Sequence, residues 1–184
     1  MTPAATVTIH TSTRRAVIAA ATNLLSQCAR VAATLPTSVY TTDSCAMAGG
    51  TIGKHLRHVL DHYHAIIAAA EAGTLIDYDH RERDVPMEAN PALCVSAIES
   101  MLHRLSSICC DADLPLRIRV MVAADGTHVE LASTFARELA FATHHAVHHQ
   151  AMIAAIAREF GLPVDPGFGK APSTLRHEDR TPDR

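Results

Sequence analysis

Thr143-His144-His145-Ala146-Val147-His148-His149-Gln150 places four histidines along one short run of helix-forming residues. Side chains four apart on a helix leave the same face, one turn above the other. His145 and His149 have that spacing, which lets two imidazoles grip a single metal ion. Further back, His55, His58, His62 and His64 lie in a second helical stretch that can supply a third ligand. Two histidine-bearing helices in 184 residues predict a divalent metal centre inside a helical domain.

Working outward, residues 12–33 are rich in Ala, Leu, Val and Ile without Gly or Pro, and read as a first helix. Residues 36–50 form a loop. A second helix spans 51–72, capped by Thr51 and stopped by Gly73. Residues 74–89 make a charged connection. Asn90-Pro91 is an N-cap followed by proline at the first helical position, opening a third helix to about residue 110. Leu116 to Val120 alternates apolar and polar residues, and Asp125-Gly126 signals a turn before Val129. Ser133 caps the fourth helix, which runs to Gly161. This pattern predicts an all-α four-helix bundle with long connections and a short β-hairpin before the last helix. Residues 1–184 read as one domain, with a mobile tail from about residue 175.

Hydrophobic residues at 48% and charged residues at 19% match a folded globular chain. A net charge of −3 with histidine neutral offers no electrostatic attraction to nucleic acid. No uncharged apolar run approaches the ~20 residues of a membrane helix, and the N-terminus does not resemble a signal peptide. Five cysteines without a CxxC pair predict reduced, mostly buried thiols and a cytoplasmic location. Alanine-rich helix faces would allow close pairing of helices across a homodimer.

On a helical wheel Phe135, Leu139, Ala142, Ala146, Ile153 and Phe160 form the apolar face of the fourth helix. His149 falls roughly 40° and His145 roughly 80° from its centre, whereas His144 and His148 fall on the far side. His145 and His149 are therefore the inward pair. Glu138, on the same stripe, is a candidate fourth ligand, outer partner or base. On the second helix His55 and His62 border the apolar face, and periodicity ranks His58 last of the three. Arg81 and Arg83 in the charged connection offer forks for a substrate carboxylate, although such a run also reads as a solvated loop. His64, His80, His103, His128 and His177 read as solvated histidines. Tyr40 and Tyr63 read as packing residues, and Cys109-Cys110 as an adjacent pair that bridges only with strain.

The segment Thr51-Ile52-Gly53-Lys54-His55-Leu56-Arg57-His58-Val59-Leu60-Asp61-His62 resembles the second-helix motif of the DinB-like (YfiT-like) family of metal-dependent proteins. His145-Ala146-Val147-His148-His149-Gln150 is similar to that family's fourth-helix motif. The resemblance spans residues 12–161. It implies a bundle that binds a divalent metal through His58, His145 and His149, with His62 in reserve. It further implies a cofactor that is zinc first, with iron or nickel open, and a substrate that is a small molecule, including a low-molecular-weight thiol. The expected function is metal activation of that thiol or of water for transfer or hydrolysis, with a non-catalytic metal-binding stress-response protein as the alternative.

Overall fold

In the computed structural model residues 4–45, 47, 49–79 and 85–180 are described, with backbone alone for 4–11. The chain opens with α1 (Ala4–Thr34) and a short α2 (Thr37–Thr41), then α3 (Ile52–Ala72), a two-residue strand β1 (Ile76–Asp77) and a 3-10 turn at Pro86–Glu88. It continues through α4 (Pro91–Ser107), β2 (Pro115–Met121), β3 (His128–Thr134), α5 (Phe135–Glu159) and α6 (Pro172–Asp179).

Local chemistry explains most boundaries. The Thr51 hydroxyl accepts from the Lys54 amide at the start of α3, and Gly73, at φ +68°, closes it in the left-handed region that favours glycine. Asn90 accepts from the amides of Ala92 and Leu93 ahead of Pro91. The cap of α5 is Thr134, one residue later than expected, and accepts from Arg137. Ser133 instead donates its hydroxyl to Glu138.

Helix α1 packs on α4 and α5, and α3 packs on the same two helices. Buried Leu25, Leu56, Tyr63, Ile98 and Leu139 meet between them. Burying each such side chain stabilises the fold by about 1.5–3 kcal/mol before the entropy cost of ordering the chain. Residues Ser12–Thr34 of α1 satisfy the length and composition of a membrane span, although Arg14, Arg15 and Arg30 interrupt them, so no uncharged run of that length occurs. The Ala21, Leu24, Leu25, Cys28 and Ala32 face of that helix is nevertheless packed into this core.

The all-α four-helix bundle is corrected by the structure. Among the described residues six α-helices accompany a three-stranded mixed sheet of order β1-β2-β3. Strand β1, within the expected charged connection, runs parallel to β2 with Ile76 opposite Ile118. Strand β3 runs antiparallel to β2, with Leu131 opposite Ile118. Ile76, Leu116 and Ile118 turn into the core, so the sheet is an integral layer and not an excursion between helices. The residues of α2, expected to be loop, and of α6, in the expected mobile tail, are helical. Proline at the start of α6 supplies its preset φ.

Candidate functional site

The crossing of α3 and α5 brings imidazoles from both helices into one nest. His58 Nε2 lies 2.9 Å from His145 Nε2, and His149 Nε2 lies 3.1 Å from the same His145 nitrogen. His149 turns its other nitrogen, Nδ1, to within 3.0 Å of His55 Nδ1. The His62 Nδ1–H donates to the His58 carbonyl 3.0 Å away, one turn back on α3. That leaves the lone pair on its Nε2, the tautomer that a backbone carbonyl selects in metal-binding imidazoles. Nitrogens of His58, His62 and His145 all lie within 4.8 Å of one another. The tightest contacts, however, run His58–His145–His149. His62 sits at the side of that chain, its ring 4.4 Å from His145 by centroids.

The inward pair on α5 is thus brought together with His58, the histidine that periodicity ranks last. Wheel analysis scores apolar neighbours, but the wall of this nest is made of imidazoles, so its flank of α3 carries no apolar signature. His64 and His144 are exposed. His148 is exposed too, although its ring lies 5.5 Å from that of His149. Glu138 is fully buried, but its carboxyl group accepts from the Tyr78 hydroxyl at 2.6 Å, from Ser133 and from Arg137 at 2.6 Å. It meets the nest through Tyr78, whose ring stacks on His62 at 4.7 Å and 15°.

Phe141, which stacks on His145 at 5.9 Å, is a member of the site that sequence reasoning missed, and Tyr78 was expected only as the start of a connection lining the site mouth. Nothing in their spacing marks them, since Tyr78 follows β1 and reaches the nest only because β1 pairs with a distant strand. Arg81 and Arg83 lie outside the described residues. Tyr40 and Tyr63 are fully buried. Of the cysteines, Cys28 and Cys94 are buried, Cys110 is half-buried, and Cys45 and Cys109 are exposed, fewer buried thiols than expected.

Behind the nest Gln150 anchors α5, its amide donating to the Leu24 carbonyl at 3.2 Å and its oxygen accepting from Gly169 at 3.3 Å. In front of it a groove of about 750 Å³ runs along α3 and α4, with His62, Tyr78, Leu60, Met87 and Met101 in its walls beside the charged Arg57, Asp61, Asp77 and Arg104.

Burial, then the neighbouring His145, holds the His149 imidazole down to about 3. His55 is lowered as well, by burial first and His148 second. In an unfolded chain both titrate near ~6.5. Between those values the unfolded state binds more protons than the folded one, so stability rises with pH and is lost on acidification from about 6.5 toward 3. For the metal-free protein the urea midpoint falls between pH 7 and pH 5, His149 contributing at most ~1.4 kcal/mol per pH unit. A midpoint flat across that interval would show that the imidazole is not held neutral.

Compared with curated proteins, the chain is similar to FK506-binding protein 5 of the fungus Rhizopus delemar, strain RA 99-880. The two are 34% identical over 119 residues, which cover 63% of this chain and 31% of the relative. The chain thus spans about a third of the length of that protein. No family model matches the chain, and no solved structure does. This relative overturns the DinB-like (YfiT-like) resemblance. The reading of a metal-dependent thiol transferase or hydrolase, with its stress-response alternative and its zinc-protein description, rested on that resemblance and is corrected with it. Histidines at a spacing of four report a geometry that any pair of facing helices can acquire, and carry no record of ancestry.

Proposed function

We propose that this chain is a binding module related to part of a longer FK506-binding protein, and that its histidine nest holds one divalent transition-metal ion through His58, His145 and His149. One observation carries this reading. His145 Nε2 has two other Nε2 atoms within 3.1 Å, yet a ring nitrogen has a single in-plane lone pair or a single hydrogen. Neutral imidazoles cannot turn both contacts into good hydrogen bonds, whereas one cation satisfies all three lone pairs. Metal–nitrogen bonds of ~2.0–2.1 Å in a tetrahedral set put the nitrogens about 3.4 Å apart. The His58–His145 and His145–His149 contacts, at 2.9 and 3.1 Å, need widen by only a few tenths of an ångström to reach that separation. Burial favours the neutral, ligating form over the protonated one, and His62 stands beside the remaining position on the groove side.

Untagged protein titrated with cobalt(II) or zinc(II) is expected to take up one equivalent, and a His145→Ala, His149→Ala variant none. Equal uptake by the two proteins defeats the assignment. The relative's name favours a second reading, that the groove binds FK506 itself. Its size and its Leu60, Met87 and Met101 walls suit an apolar ligand. A calorimetric titration with FK506 decides it, since absence of a heat of binding at micromolar concentrations removes that ligand.

A further inference from the structure

His149 shows its two ring nitrogens to two different imidazoles, Nε2 to His145 and Nδ1 to His55. A neutral imidazole has one proton to place. On Nε2 it would point an N–H into the nest and remove a lone pair; on Nδ1 it leaves Nε2 able to bind a cation. The tautomer of a buried histidine is set by the partner of its other nitrogen, and that partner here is His55 Nδ1 at 3.0 Å. Two nitrogens facing each other at this distance share one proton, so one ring must donate and the other accept.

We infer that His55 is a positioning residue whose Nδ1 accepts the Nδ1–H of His149, holding His149 in the tautomer that presents its Nε2 lone pair to the nest. The inference rests on the metal reading of the nest. The proton of His55 then resides on Nε2, at the buried end of the ring beside Gly50. That end of the ring is buried and lies close over the glycine, since a Cβ on Gly50 would stand 3.1 Å from His55 Nε2. His55 lies three residues before His58 on α3, so the same helix that supplies one nest imidazole also orients another on α5. In known metal sites such outer partners are worth about 10–100-fold in affinity.

Two measurements test this. Nitrogen-15 NMR of the metal-free wild-type protein is expected to place the His149 proton on Nδ1. His55→Leu, which fills the space without an acceptor, is expected to move that proton to Nε2 and weaken cobalt(II) or zinc(II) binding about 10–100-fold at an unchanged one equivalent. His55→Asn, whose amide oxygen can accept the same hydrogen, is expected to regain part of the loss. A wild-type His149 protonated on Nε2, or a His55→Leu variant that binds as tightly as wild type, overturns the inference. Should His55→Leu fail to fold, the His55→Asn affinity and the wild-type tautomer decide. Should wild type take up no metal, the cation reading falls, while the tautomer in the metal-free protein still tests His55.

Discussion

Glu138→Ala is expected to destabilise the protein by about 3–4 kcal/mol, seen as a lower urea midpoint at unchanged slope. The carboxyl group is fully buried and accepts from Tyr78, Ser133 and Arg137. Arg137 is exposed and can turn to water. Tyr78 and Ser133 are partly buried, and a buried donor stripped of its acceptor costs about 1–3 kcal/mol. The lost carboxymethyl volume adds a cavity term at the foot of α5. Against a total stability of roughly 5–15 kcal/mol the change is large. The effect is structural in a specific way: Tyr78 follows β1, Ser133 is the penultimate residue of β3, and Glu138 sits in the first turn of α5. One carboxyl group therefore ties the sheet to the helix that carries two nest histidines. Glu138→Gln keeps an acceptor and is expected to lose only about 1 kcal/mol. A Glu138→Ala protein within 1 kcal/mol of wild type would mean that the sheet is not tied down at this point.

That tie also shows where the sequence was legible. Caps are local, so Thr51, Gly73 and Asn90 could be read from a few residues each, and the helices they bound follow. The inward face of α5 was legible because Leu139, Ala142, Ala146 and Ile153 mark it. Strand β1 was not, since two residues carry no alternation and owe their conformation to Ile118 and Arg119, some forty positions downstream. Missing β1 also hid the place of Tyr78, which arrives at His62 only through that pairing. His58 was underrated for a different reason: a polar nest leaves no hydrophobic period on the flank of α3 that lines it. The family resemblance failed where it leaned on histidine spacing, which convergent geometry reproduces. The contacts among His58, His145 and His149 do not depend on that ancestry, because they follow from how α3 crosses α5.

The crossing itself depends on Gly53. At an exposed position within a helix, glycine to alanine stabilises by about 0.5–1 kcal/mol, since alanine loses less backbone freedom on folding. Gly53→Ala is expected to have the opposite sign, a loss of about 3 kcal/mol. A Cβ there would stand 2.1 Å from the Glu88 carbonyl oxygen and 2.7 Å from Tyr40 Cε1. Neither neighbour can yield easily. Glu88 is held by an ion pair with Arg57 at 2.6 Å, and Tyr40 is fully buried with its hydroxyl donating to the Met87 carbonyl at 2.7 Å. The start of α3 must therefore back away from the 3-10 turn, taking His55 and His58 with it. His145 and His149, on α5, stay behind, so the variant is expected to lose metal affinity as well as stability. The inverted sign makes the measurement decisive. If Gly53→Ala unfolds at the wild-type urea concentration or above, α3 is not seated against residues 86–88 as described, and the register of the two histidine helices has to be drawn again.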